Sequence, residues 1–503
     1  MTAIQINGND LSFDHLRQVV YECREVALAS GAQKKVVAAR EVVEKLLREN
    51  RVAYAINTGV GKLSDVHIEP AQNRQLQLNL IRSHSAGVGE PLSQEDTRAM
   101  MLLRANSLAK GFSGVRPVVI ELICAMLNKG VHPVVPSQGS VGASGDLAPL
   151  AHLALAMIGE GEVWAGNGRV PAADALKAAG IAPLVPEAKE AISLINGTQA
   201  MLAVGTLSLL AAETLAETAD VLGAMTLDAL QGTDVAFDAR IHAARPHAGQ
   251  SKVAANLRHL LAGSEIRASH KDCGRVQDAY SMRCIPQVHG AVRDTLEFCR
   301  RTFEIEMNSA VDNPLVFVTG HAEGDIISGG NFHGEPLAFA LDYMAIVLSA
   351  LAGISERRIE RLVNPALNEG LPPFLAPDAG INSGFMMPQV TAAALASENK
   401  VYAHPASVDS ITTSGNKEDF VSMGMTAAIK LKKIVANTTN VLAIEACAVA
   451  QALDFLAPRK TSAPLQKVHA AIRKVSPRIE QDRVFAEDFA KLAELIKAGG
   501  LAQ

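Results

Sequence analysis

The residues in this chain best suited to unusual chemistry are three that do none individually. Positions 140–150 read S-V-G-A-S-G-D-L-A-P-L, and Ala143, Ser144 and Gly145 offer no useful acid, base or metal ligand. They can, however, react with one another. Attack of the Gly145 nitrogen on the Ala143 carbonyl carbon closes a five-membered ring, and Gly145 lacks the Cβ that would obstruct the approach. Loss of the Ser144 hydroxyl as water then leaves an exocyclic methylene conjugated with the ring, an electrophile that no ordinary side chain supplies. The two prolines of the preceding H-P-V-V-P (132–136) hold the chain extended. A helix is expected from Leu147, with Asp146 as its N-cap and Pro149 in its first turn. The tripeptide therefore sits beside a helix N-terminus, which favours negative charge. Alone it is a weak signal: composition predicts roughly a few tenths of an occurrence by chance, and a plain Asp-capped helix start explains it as well.

The surrounding blocks change the weight of that signal. The stretch G-S-V-G-A-S-G-D-L-A-P-L-A-H resembles the signature of the aromatic amino-acid ammonia-lyases. The likeness continues in order through Y-A-I-N-T-G, S-H-S-A-G, I-N-G-T-Q-A, V-Q-D-A-Y-S-M-R-C, D-N-P-L, G-G-N-F-H and S-G-N-K-E-D-F-V-S-M, over residues 50–455. It is nearest to the histidine-directed members. The resemblance implies that Ala143-Ser144-Gly145 cyclises to 4-methylidene-imidazol-5-one (MIO), with no metal or nucleotide cofactor. It further implies that ammonia is eliminated from L-histidine to give trans-urocanate.

The same resemblance assigns roles. Such a reaction must remove a weakly acidic β-proton and expel a poor leaving group. Tyr54 matches the family's base, and a tyrosinate serves where positive charge or hydrogen bonds favour it. Tyr280 matches a residue that handles protons or orders the site. Arg283 matches the cation for the substrate carboxylate, which a guanidinium can grip in a fork. Asn196 and Gln277 supply amides to orient substrate or the MIO oxygen, and Asn196 could equally be a helix cap. His84, Phe332 and Glu418 match the substrate slot, with Glu418 and His84 serving an imidazole ring and Phe332 walling it. Glu418 could also be a plain acid at a helix start. The chain departs from the histidine pattern at Phe420, where His is usual, and at Lys417, where Gln is common. It departs again at Ala55 and Val60, where Gly and Phe are frequent. These changes leave open a lyase or a 2,3-aminomutase for another aromatic amino acid. A non-catalytic helical scaffold is the reading from a different class.

Helices must position these groups. Apolar periodicity predicts them over 13–50 (one or two), 70–110 with an interruption at 83–87, 117–127, about 196–230, 251–261, 285–309, 336–362, 389–402 and 421–455. Two short ones follow Pro464. A Gly-Asn-Gly turn is expected after Trp164, and the one hairpin candidate pairs 315–318 with 325–328. The expected fold is mostly α, a long antiparallel helix bundle with a smaller N-terminal part carrying the MIO loop. Its parts are 1–190 (MIO-bearing), 191–460 (central long helices) and 461–503 (C-terminal helices), which read together as one continuous lyase domain over about 5–480.

Of 503 residues 48% are apolar and 20% charged, with net charge −5. A large core is possible, and nothing electrostatic favours nucleic acid or an acidic membrane. The apolar run 337–354 approaches bilayer length, but Asp342 interrupts it and S-E-R-R-I-E-R follows, so it reads as core or subunit interface. The first residues lack a basic region followed by an apolar core. Six cysteines without CxxC spacing read as buried thiols of a cytoplasmic protein. HExxH, P-loop, G-x-G-x-x-G and G-x-S-x-G patterns are missing. The expected partners are a small amino-acid substrate and further copies of the chain, since the family resembled forms homotetramers with sites built from several subunits.

Overall fold

The computed structural model describes residues 2–166, 168–271 and 273–502. Among them are nineteen α-helices and nine strands, none longer than six residues, so helices supply the core. The chain divides into two compact units. The first comprises Met1–Leu207, Arg300–Leu341 and Pro405–Ile429, and holds all the described strands. The second comprises Ser208–Cys299, Asp342–His404 and Lys430–Gln503.

In the first unit, short strands fix the extended approach to the tripeptide. His132–Pro133 pairs with Glu162–Ala165, and Pro136–Gln138 pairs with Val88–Pro91. Glu162–Ala165 also forms a hairpin with Gly168–Pro171, a second hairpin beyond the one expected. Of the Gly-Asn-Gly turn joining its strands, Asn167 lies outside the described residues. The expected hairpin is present as Leu315–Gly320 with Glu323–Ile327. The stretch expected as helix over 13–50 contains a strand. After Phe13–Tyr21 the chain turns, Val26–Leu28 pairs in parallel with Ile4–Ile6, and Ser30–Arg48 resumes the helix. The cause is tertiary: the Asn128 side chain bonds both the N–H and the carbonyl of Val26, at 2.9 Å each, occupying groups a helix would use.

Most of the remaining long helices follow the apolar pattern, but the stretch expected as helix over 70–110 is Asn73–His84 and Gln94–Ala109 with the strand Val88–Pro91 between them, drawn out by its pairing with Pro136–Gln138. Gln94–Ala109 opens on a capping box made by Ser93 and Asp96. Gln199–Ala229, Ile285–Met307, Glu335–Val363, Met386–Tyr402 and Gly424–Phe455 match the expected spans to within a few residues. By length and composition Gln199–Ala229 and Glu335–Val363 could each cross a membrane, but 78% and 56% of their most apolar windows are buried in the protein. Core helices meet the same test. The second unit buries polar side chains among its helices. Arg358 grips Glu445, which also takes the Ser355 and Thr226 hydroxyls, and Asp220 holds His289 and Arg293 at 2.7 Å each.

The cysteine expectation needs correction. Cys124, Cys299 and Cys447 are buried, and burial pushes their thiols up to about 12, 12 and 11. Cys23 and Cys273 are exposed and Cys284 is half-buried, because these three lie at turns or helix ends, Cys23 in the break that interrupts the helix expected over 13–50.

Candidate active site

Within the first unit a cavity of about 1030 Å³ gathers seven of the eleven expected residues: Tyr54, His84, Ala143, Ser144, Asn196, Phe332 and Glu418. The tripeptide occupies the corner between strand Pro136–Gln138 and helix Leu147–Met157. Gly145 adopts φ +69, and a Cβ there would lie 2.1 Å from the Gly197 carbonyl oxygen, so both the backbone shape and the space demand glycine. Gly145 bridges Gly197, and the hydrogen bond closing that bridge comes from the Asp146 N–H to the Gly197 carbonyl at 2.6 Å, leaving the Gly145 nitrogen out of it. From the other flank the Ser422 hydroxyl donates to the Gly142 carbonyl at 3.2 Å, and the Met423 N–H to the Val141 carbonyl at 2.9 Å.

Asp146 does not cap its own helix as expected. Its carboxylate accepts the Ser140 hydroxyl and the Met201 N–H, at 2.8 Å each, and so satisfies the first turn of Gln199–Ala229 instead. Burial raises this carboxyl to about 6, against the lowering effect of those donors. Asn196 ends helix Glu190–Ile195, and its Nδ2 donates to the Ser144 carbonyl at 2.9 Å. Its Oδ1 is buried with no partner among the described residues. The amide serves the tripeptide, not the long helix.

Glu418 reaches the same serine. The Ser144 hydroxyl donates to its Oε1 at 3.0 Å and the Thr413 hydroxyl to its Oε2 at 2.9 Å, so both oxygens are engaged and Lys417, exposed beside it, takes neither. His84 closes helix Asn73–His84 with Nδ1 2.8 Å from the Leu80 carbonyl. A carbonyl only accepts, so Nδ1 is the donor in that contact, and the Ser83 hydroxyl lies 3.1 Å from the same nitrogen. The Tyr54 hydroxyl accepts the Gly61 N–H at 3.2 Å. Its loop is held by its own side chains: Ala53 N–H donates to Asn57 Oδ1 and Ala55 N–H to Thr58 Oγ1, both at 2.9 Å. Ala55 has φ +55, a left-handed backbone that explains why glycine suits this position.

Phe420 also lines the cavity, stacked on His333 with ring centroids 6.1 Å apart, while His333 Nε2 lies 3.2 Å from the Phe420 carbonyl. His333 and Asn313 are lining residues that sequence reasoning passed over, although both stand inside matched blocks. Asn313 accepts the Gly329 N–H at 2.7 Å and donates to Ser328 at 3.1 Å, setting the loop that presents Phe332. Gln277, Tyr280 and Arg283 belong to the second unit and do not line this cavity. There Tyr280 is exposed with the Arg283 guanidinium 4.6 Å from its ring centre, and Arg283 Nε is buried without a partner among the described residues.

The aromatic amino acid lyase profile matches residues 11–474. The chain belongs to this family. Among aromatic amino acid lyases with curated names, it is 69% identical to the histidine ammonia-lyase of Koribacter versatilis, over all of this chain and 99% of that one. It is 52% identical to the histidine ammonia-lyase of Anaeromyxobacter sp. (strain K), over the whole of both chains. Among solved structures, the histidine ammonia-lyase of Trypanosoma cruzi superposes with TM-score 0.92 at 44% identity, covering 99% of this chain and 94% of that one. The tyrosine aminomutase of Streptomyces globisporus superposes with TM-score 0.94 at 37% identity, covering 99% and 98%. The same lyase fold is thus similar to enzymes named for different rings and outcomes.

Proposed function

We propose that this chain is a histidine ammonia-lyase, a carbon–nitrogen lyase converting L-histidine to trans-urocanate and ammonia with an MIO group formed from Ala143, Ser144 and Gly145. The observation that carries the substrate is Glu418 held at 3.0 Å from Ser144, with His84 lining the same cavity. An imidazole ring offers two nitrogens to such groups, whereas a carboxylate facing a benzene ring would be an uncompensated charge.

The residues present fit the group. Gly145 sits where no Cβ fits, its nitrogen lies outside the bridge to Gly197, and Asn196 Nδ2 is bonded to the Ser144 oxygen, the carbonyl that the ring retains. When formed, the group supplies an electrophilic carbon to the substrate amine and so improves a poor leaving group. Asn196 Nδ2 then holds negative charge at the Ser144 oxygen. Tyr54 Oη takes the β-proton, and the Gly61 N–H stabilises that oxygen while it is ionised. Arg283 forks onto the substrate carboxylate, Gln277 orients the substrate and Tyr280 helps move the proton. Phe332 bounds the ring slot. These assignments, a homotetramer and a cytoplasmic setting all follow the resemblance.

A purified preparation incubated separately with histidine, phenylalanine and tyrosine, and followed by the absorbance of the conjugated product, tests the proposal. Histidine turns over fastest, and Ser144→Ala abolishes turnover together with the near-UV chromophore. Phe420 in the cavity favours the second reading, a lyase or aminomutase for another aromatic ring, and faster turnover of phenylalanine or tyrosine would establish it.

A further inference from the structure

Gly197 is in contact with the tripeptide and also with a buried cation that the reaction scheme leaves unused. Its carbonyl oxygen stands where a Cβ on Gly145 would be, and a Cβ on Gly197 itself would lie 2.3 Å from Arg104 Nη1. Two glycines in succession thus leave no side chain between tripeptide and guanidinium. Arg104 is fully buried; its Nη1 donates to Gln199 Oε1 at 2.7 Å and its Nη2 to the Ser193 carbonyl. The carboxylate whose charge Arg104 feels is Asp312, which it shares with two other groups: Lys189, pushed toward its neutral form by burial, lies 3.1 Å from Oδ2 and Ser113 donates to Oδ1 at 3.0 Å. Glu306, which takes the neighbouring Thr198 hydroxyl, is pushed toward its neutral form by burial. Burial lowers the Arg104 guanidinium from 12.5 to about 10, which is still well above neutrality, so it stays charged.

We propose that Arg104 is a positioning residue: its guanidinium, set against Gly197 and tied to Gln199 and the Ser193 carbonyl, fixes the Asn196–Gly197 turn that holds the tripeptide and presents positive charge, across Gly197, to the side of the tripeptide whose Ser144 carbonyl Asn196 holds. In a low-dielectric site such a charge favours electron density gathering on that oxygen, both as the ring forms and as it reacts. The inference rests on the MIO reading. Ring closure releases the Ala143 carbonyl oxygen with the amide hydrogens of Ser144 and Gly145, and methylene formation releases the Ser144 hydroxyl with its α-hydrogen. Maturation therefore shows as the loss of two waters in the intact mass.

Gln199→Glu is the deciding variant, because it is isosteric, keeps the bond to Arg104 and cancels only the charge. It should unfold at a denaturant concentration no lower than the parent, lose its two waters about 10-fold more slowly, and show kcat about 100-fold lower with KM for histidine unchanged. Arg104→Lys keeps the charge without the fork and should mature faster than Gln199→Glu. A Gln199→Glu protein that matures and turns over like the parent, or that fails to fold, overturns the proposal. A parent protein that itself never loses two waters defeats the lyase reading and is told apart by that control.

Discussion

Single residues decide which ring this site accepts and how the base loop is held. Glu418→Gln keeps the shape and removes the charge from a carboxylate bonded to Ser144 and Thr413. A lost charge-assisted bond costs ~2 kcal/mol, so kcat/KM for histidine should fall about 30-fold while any turnover of phenylalanine is spared or improves. Product absorbance against each substrate measures this, and an unchanged histidine rate would remove Glu418 from the ring slot. At Ala55 a methyl group is carried on a left-handed backbone at φ +55. Ala55→Gly relieves that strain and adds some unfolded-state entropy, for a net gain of about 0.5 kcal/mol. The midpoint of urea unfolding should rise accordingly; a fall would mean that the methyl's packing outweighs the backbone strain.

Elements are joined here by side chains reaching across, and Asp146 is the clearest case. It follows the tripeptide but caps Gln199–Ala229. Its carboxyl is raised to about 6 from an ordinary 3.8, so the folded state binds the proton more tightly than the unfolded chain. The sign follows: the contribution favours folding below pH 4 and is lost as pH rises through about 6, a swing of ~3 kcal/mol. Asp146→Asn removes the titration while its Oδ1 can keep the Met201 N–H. Urea midpoints at pH 4 and pH 7 should therefore differ less in Asp146→Asn than in the parent, and equal differences would show that Asp146 does not titrate in this window. The helices themselves were legible from apolar spacing over most of their length. The strand Val26–Leu28 and the hairpin from Glu162 were not, because the groups that hold them, Asn128 for the first and His132–Pro133 for the second, are remote in sequence.

At the scale of the whole molecule, apolar surface remains on long helices. Phe339, Tyr343 and Ile346 are spaced along one stripe of Glu335–Val363 and are 42–43% exposed, a pattern suited to contact with further copies. Light scattering should give about four times the 53.1 kDa chain mass, and Ile346→Glu should shift the population to smaller species with less activity. A parent that runs as a fully active monomer would contradict the assembly proposed. Of the site residues, the sequence identified the tripeptide, the tyrosine loop and the glutamate through ordered blocks. It passed over His333 and Asn313 because an imidazole stacked on Phe420 and an amide that fixes a loop carry no distinctive spacing.

The sequence by itself determined the chemistry available: an Ala-Ser-Gly unit able to condense with itself, in helical surroundings recognisable block by block. Only the tertiary structure decided how that unit is held. It set Gly145 against Gly197 with Arg104 in contact beyond, turned Asp146 from its own helix to another, and put Glu418 on the Ser144 hydroxyl. The physical reason is range. Propensity, capping and reactivity are written in neighbours along the chain, whereas packing distance and charge balance depend on residues that meet only after the chain has folded.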